Sequence, residues 1–105
     1  MVIEIKDHLH LADLLRSGRL VIDCYADWCL LCQMIVPRFN ATAELFPDIQ
    51  FAKLNVEKFA DFAQVAAVRV LPTLIFFEDG NEVHRSAGLV SENQLADILN
   101  EAFGV

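Results

Sequence analysis

A chain of 105 residues supports one domain that buries roughly two-thirds of its unfolded surface, and 55% hydrophobic residues with eight Phe supply ample core material. The formal net charge of −7, with no basic cluster anywhere, argues against binding nucleic acid or an anionic membrane surface. Met1 to Asp7 lacks the basic and apolar regions of a signal peptide, and no apolar run approaches the ~20 residues of a membrane span. Three cysteines do not make a disulfide framework. A CxxC pair with one odd Cys fits a reducing compartment, so a cytoplasmic location is expected.

In chain order, Val2 to Ile5 reads as a short strand. Asp7 precedes a helical pattern with Leu11, Leu14 and Leu15 on one face, and Gly18 stands where a left-handed C-terminal cap would close it. Leu20 to Ala26 is nearly all apolar, as expected of a strand covered on both faces. Cys29 to Phe46 carries Leu31, Ile35, Phe39, Ala43 and Phe46 at helical spacing. Pro37 lies inside that helix and removes the hydrogen bond to the Gln33 carbonyl. Phe51 to Val56 is the next strand, with Ala52, Leu54 and Val56 on one face and Phe51, Lys53 and Asn55 on the other. A helix over Phe59 to Ala66 follows.

Thr73 to Phe77 and Glu82 to Ala87 then read as two strands joined at Asp79-Gly80, a strong signal for an antiparallel hairpin. Ser91 and Gln94 make a capping box for a last helix with Leu95, Ile98, Leu99, Ala102 and Phe103 on its core face. The order β-α-β-α-β-α-β-β-α predicts an α/β fold, with a central mixed sheet flanked by helices. No linker or repeat interrupts residues 1–105, which are expected to form a single domain.

The chemistry concentrates where the Leu20–Ala26 strand hands over to the next helix. Cys29 and Cys32, at spacing i, i+3, share a helix face and lie near enough for a reversible disulfide. The positive end of the helix dipole favours a thiolate at Cys29, whereas Cys32, one turn inside, should be more buried and less reactive. That asymmetry suits a two-step exchange in which Cys29 attacks a substrate disulfide and Cys32 releases the mixed disulfide. A structural zinc site would need four ligands. Only Cys24 and three scattered histidines, His8, His10 and His84, remain to supply them, so no metal is expected.

Asp23 is the only charge in its apolar strand. Burial of an unpaired carboxylate is costly or keeps it protonated. Two readings stand side by side: a proton acceptor for Cys32, or a strand-end carboxylate capping a backbone group. Cys24 alternates with Asp23 across the strand and reads as a small buried hydrophobe. Pro72 opens a strand after Leu71, and base rates alone would make the Leu71–Pro72 bond trans.

From about Leu20 to the C-terminus the chain resembles the thioredoxin family. The resemblance is carried by Asp23, Ala26, Trp28-Cys29, Cys32, Met34-Ile35, Pro37, Ala52-Lys53-Leu54-Asn55, Val68-Arg69, Pro72-Thr73, Gly80 and Gly88. It implies a thioredoxin fold and protein disulfide reductase activity, with Cys29 as nucleophile, Cys32 as resolving cysteine, Asp23 as buried acid/base and Lys53 as its charged neighbour. Pro72 would be cis, and Trp28, Leu30, Leu31, Leu71, Pro72, Ala87 and Gly88 would form the substrate surface. The partners implied are protein disulfides and a thioredoxin reductase as electron donor. No cofactor is implied, and a monomer is expected.

The chain departs from the family in three places. Leu30-Leu31 replaces Gly-Pro between the cysteines, so the family's redox potential does not carry over. Tyr25 replaces a usual Trp, and Ala67 stands where a Gly is frequent. The stretch Tyr25 to Cys29 with its following apolar pair also resembles the C-terminal thioredoxin-like domain of the bacterial transmembrane disulfide reductase DsbD. That likeness keeps a dedicated relay as an alternative, Leu30-Leu31 keeps isomerase work open, and the apolar patch of Trp28, Leu30, Leu31 and Leu71 keeps a non-catalytic binding module open.

Overall fold

A computed structural model describes residues 1–104. The elements are β1 (Val2–Glu4), α1 (His8–Leu15), β2 (Arg19–Tyr25), α2 (Leu30–Leu45), β3 (Gln50–Asn55), α3 (Ala60–Val65), β4 (Thr73–Glu78), β5 (Asn81–Ala87) and α4 (Glu92–Phe103). This is the order expected from the sequence. The five strands form one sheet in the order β1-β3-β2-β4-β5. β1, β3 and β2 are mutually parallel, and β4 and β5 run antiparallel.

Strand alternation divides the core into two layers. On one face Val21, Phe51, Leu74 and Phe76 pack against Ile35 and Phe39 of α2 and Leu95, Leu99 and Phe103 of α4. On the other, Leu20, Ile22, Cys24, Ala52, Leu54 and Ile75 pack against Leu11 and Leu14 of α1 and Phe59 at the start of α3. β2 lies at the centre of the sheet and is covered on both sides, which explains its unbroken apolar run. Cys24 is fully buried on the α1 and α3 face, opposite Asp23.

Local signals account for most of the boundaries. The Asp7 side chain caps α1 by accepting from His10 N, and Ser91 and Gln94 form the expected capping box at α4. Asp79 and Gly80 have φ of +53° and +85°, the two positive values that a two-residue hairpin turn requires. The sequence reading of Gly18 is corrected. α1 ends at Arg16 in right-handed helical geometry. Gly18, at φ +91°, instead turns the chain into β2, and its carbonyl accepts from Asp79 N at 2.9 Å.

The inward stripe of α2 is also corrected at its first turn. It begins at Cys32 and continues through Ile35, Phe39 and Ala43, while Leu31 is 43% exposed. The first turn of α2 stands past the end of the central strand β2, so a residue there need not face the core.

The α3 terminus is held from β5. Arg85 donates to the Ala66 carbonyl at 2.7 Å and the Ala67 carbonyl at 3.2 Å, and Glu82 anchors its guanidinium with two bonds of 2.7 and 2.8 Å. Carbonyls at a helix C-terminus lack intrahelical partners, so a guanidinium suits them well. Ala67 adopts φ +56°, a conformation that a Cβ disfavours. Ala67→Gly should therefore raise stability by about 0.5–1 kcal/mol, the relief of strain outweighing the added unfolded-state entropy. Urea denaturation would read this as a higher midpoint at unchanged m-value.

Candidate active site

The central strand β2 delivers Asp23 and Tyr25 to one end of the sheet, and the chain then leaves through Ala26. Cys29 N donates to the Ala26 carbonyl at 3.2 Å, which turns the backbone so that Cys29 becomes the N-cap of α2, in extended geometry at φ −85°. Its Sγ accepts from Cys32 N at 3.2 Å. A sulfur thus occupies the place that a Ser or Asp oxygen takes at other helix starts. The Cys29 carbonyl accepts from Gln33 N at 3.2 Å, the first bond of the helix. Both cysteines are free thiols, and they form a small cluster with Ala26, against which Tyr25, Val56 and Leu71 pack.

Cys29 opens into a groove of about 510 Å³, lined by Trp28 and Leu71, by Val56, Ala60, Ala63 and Gln64, and by Val68 and Arg69. Trp28 is 70% exposed, and its Nε1 donates to Glu57 Oε2 at 3.1 Å. That bond fixes the indole along one wall. Sequence reasoning missed it, because nothing local links positions 28 and 57.

The Leu71–Pro72 peptide is cis, as the family resemblance implied and base rates did not. Thr73 Oγ1 donates to the Val70 carbonyl, and Gly88 N donates to the Pro72 carbonyl at 2.7 Å. Together these bonds hold Leu71, Pro72 and Gly88 as one corner beside the dithiol. Ala87 is exposed at the end of β5. Leu30 is 67% exposed and stands beside Leu31 on the first turn of α2. Of the residues expected to line a substrate surface, Trp28 and Leu71 share the groove with Cys29, and Leu30 and Leu31 follow it in the chain. Ala87 and Gly88 are tied to the Pro72–Thr73 corner, and Pro72 itself is buried.

Beneath the dithiol, Asp23 is 1% exposed, and neither of its oxygens has a hydrogen-bond partner among the described residues. That removes the capping reading. Burial pushes its carboxyl up to about 7, against the Lys53 ammonium, which lowers it, and with Glu4, which raises it further. Register places Lys53 beside Asp23 on the neighbouring strand. The Lys53 ammonium, however, lies over the Tyr25 ring, 4.6 Å from its centroid. Burial first, and then the Cys29 sulfur, hold the Cys32 thiol well above its ordinary range.

The arrangement is a two-thiol site with a graded interior. One sulfur touches a groove and a helix N-terminus, the second lies inward, and a carboxyl that changes protonation near neutrality lies below both. Among the described residues, no three His, Cys, Asp or Glu side chains gather as a cation site. No described helix is long and apolar enough to cross a membrane.

The raised Asp23 carboxyl makes stability depend on pH in a definite direction. Between its unfolded value of about 3.9 and its folded value of about 7, the folded protein binds one more proton than the unfolded chain. Stability should therefore fall as pH rises through that window and level off above it. Asp23→Asn should flatten this slope and leave the protein more stable at pH 8, by at most roughly 4 kcal/mol. Denaturant unfolding of both proteins at pH 4, 6 and 8 checks the slope and its loss.

Comparison with known proteins agrees with this geometry. The thioredoxin family model matches residues 1–101. The thioredoxin of Chlamydia trachomatis is 32% identical over 100 residues, covering 95% of this chain and 98% of that protein. Thioredoxin-like protein 1 of Schizosaccharomyces pombe is 39% identical over 90 residues, which are 83% of this chain and 31% of the longer yeast protein. Among solved structures, a mutant thioredoxin from Halobacterium salinarum superposes with a TM-score of 0.88 at 32% identity, over 96% of this chain and 89% of the other. With its Cys29–Cys32 pair intact, the chain is a thiol–disulfide oxidoreductase and belongs to the thioredoxin family.

Proposed function

We propose that Cys29 is the nucleophile, Cys32 the resolving thiol and Asp23 the proton acceptor with which this protein reduces disulfides in other proteins. The observation that carries this reading is the sulfur of Cys29. It accepts an amide hydrogen bond at a helix N-terminus while lining an open groove, and Cys32 lies behind it, above a carboxyl without partners. The first is the setting of an attacking thiol, the second that of one used only once a mixed disulfide has formed.

The exchange balances without outside reagents. The Cys29 thiolate attacks one sulfur of a substrate disulfide, a Cys29–substrate bond forms, and the other substrate sulfur leaves as a thiolate that takes a proton. Cys32 then gives its proton to the Asp23 carboxylate and attacks the Cys29 sulfur. The Cys29–Cys32 disulfide forms, and the second substrate thiol departs with a proton. Two thiols of the protein are oxidised and one substrate disulfide is reduced. Lys53, beside Asp23, moderates the charge that appears and disappears there.

Trp28, Leu30, Leu31, Leu71, Pro72, Ala87 and Gly88 form the surface that receives an extended substrate segment. The backbone around the Pro72–Gly88 corner supplies polar groups, and the leucines supply apolar contact. By its family the electron donor is a thioredoxin reductase. A CxxC pair with one odd cysteine supports a reducing compartment, the cytoplasm. A single sheet with helices on both faces supports one domain, acting as a monomer. Relay and binding-module readings are not favoured, because every position of the proton-transfer set is filled.

Cys29→Ser should abolish insulin reduction. Cys32→Ser should instead accumulate mixed disulfides with substrates, detectable on non-reducing gels. Normal turnover by either variant would refute the mechanism. Equilibration against glutathione tests the reductant role separately. A Cys29–Cys32 potential near the thioredoxin value of about −270 mV supports it, whereas one near or above about −180 mV moves the protein to isomerase or relay work.

A further inference from the structure

The three parallel strands align Glu4 of β1, Lys53 of β3 and Asp23 of β2 in one row across the sheet. Strand alternation sends all three side chains to the α2 face, the face on which Val2, Phe51 and Val21 pack. Adjacent strands lie about 4.8 Å apart, so Glu4 and Asp23 stand roughly 10 Å from one another with Lys53 between them. Tyr25, two residues after Asp23 and on the same face, completes the set. Its hydroxyl donates to Glu4 Oε2 at 2.8 Å, and the Lys53 ammonium lies 4.6 Å from its ring centroid.

A lone ammonium between two carboxylates would be expected to pair with the buried one. Here it lies on an aromatic face, a favourable seat for a cation, and the ring is itself fixed by a carboxylate on the outer strand. Asp23 is left without a partner.

We propose that Glu4 and Tyr25 are positioning residues of the dithiol site, holding the Lys53 ammonium on the Tyr25 ring and off Asp23, and so setting how readily Asp23 takes the Cys32 proton. Its consequence for catalysis rests on the proposed role of Asp23. The remaining groups that face Asp23 do not duplicate this control. α2 brings Cys32 and, at its cap, Cys29; the loop between β2 and α2 brings Asp27; and β4 places only Leu74 beside it. A cleft of about 230 Å³ lined by Tyr25, Lys53, Gln33 and Cys32 opens the Cys32 side of the site to the surface beside the Tyr25–Lys53 pair. Glu4 is exposed and the Tyr25 ring half-buried, so the outer end of the row can be changed without opening the core.

The sign follows from charge. Glu4 adds a negative charge on the far side of Lys53 and draws the ammonium outward, and both effects favour the protonated form of Asp23. Neutralising Glu4 should move the Asp23 titration to lower pH. At roughly 10 Å, and with one partner exposed, the effective dielectric lies between about 20 and 80, and the expected shift is roughly 0.3–1 pH unit.

The test is the titration of the Asp23 carboxyl carbon by NMR in the reduced, full-length protein, together with the pH profile of mixed-disulfide release in single turnover. Glu4→Gln should shift both midpoints downward by the same amount, and Glu4→Lys should shift them further. A merely structural role for Glu4 would not give a shift graded with charge. In a Tyr25→Phe background the Glu4→Gln shift should shrink, because the hydroxyl no longer holds the carboxylate against the sheet. An unmoved or raised Asp23 midpoint in Glu4→Gln, or an equal shift in both backgrounds, would overturn the proposal. Insulin reduction by the unmodified protein reports on the reductase reading alone, since the carboxyl titration does not depend on turnover.

Discussion

An aspartate whose two oxygens are both buried and unpartnered is an expensive thing to place in the middle of a sheet, and the rest of the site is arranged around it. Nothing in the fold requires a carboxyl at position 23. Its neighbours on β2, Ile22 and Cys24, are fully buried hydrophobes, and an apolar residue there would remove the cost of burying a polar group. On the proposed mechanism the gain lies in the dithiol. Burial puts the carboxyl's change of charge near neutrality, where it can exchange a proton with a thiol that is itself held protonated by burial. A group with an ordinary carboxylate's proton affinity would be too weak a base for that step. On the proposed mechanism, stability is given up at the point where proton transfer needs it, a common relation between stability and function.

The same strand-to-helix junction also divides labour between the cysteines. Because Cys29 is the N-cap, its sulfur lies at the one place on α2 where backbone amides are free to donate. Cys32, as the third helical residue, both supplies such a donor and has its side chain turned inward. One backbone turn therefore sets one sulfur against the groove and the other behind it, with both residues largely buried, 7% and 3% exposed. The groove walls are held from distant parts of the chain: Glu57 fixes Trp28, Gly88 fixes the Pro72 corner, and Arg85 fixes the end of α3 that leads to Leu71.

How far the sequence revealed this depends on the range of each interaction. Signals local in sequence were legible: the CxxC at a junction, the Asp79-Gly80 turn, the Ser91/Gln94 box, and the lone charge of Asp23. Alternation placed Lys53 on the face opposite Leu54. It could not say that Lys53 would lie beside Asp23 and Glu4, because parallel register is fixed by crossovers and packing rather than by any residue pattern. The Trp28–Glu57 bond and the Arg85 clamp were illegible for the same reason. Leu31 and Gly18 misled through a regular rule applied at an irregular place. Helical periodicity assumes that a helix lies on the core along its whole length, and a glycine near a helix end need not be its cap.

Leu31 itself carries a consequence for the redox couple. Members of the family with Gly-Pro between the cysteines have a proline at the second helical position, where the ring removes a backbone N–H. Leu31 retains that N–H in the first turn, among the orphan donors that surround the capping sulfur. One more backbone donor is thus retained at the helix start where the Cys29 sulfur already accepts from Cys32 N. Whatever stabilises the reduced form makes the couple more oxidising. On the proposed substrate surface the exposed leucines would act on affinity through their apolar area, which docking would bury at about 25 cal/mol per Å². The amide between them acts on the potential. Position 31 therefore differs from its Gly-Pro relatives in its backbone donor as well as in its side chain.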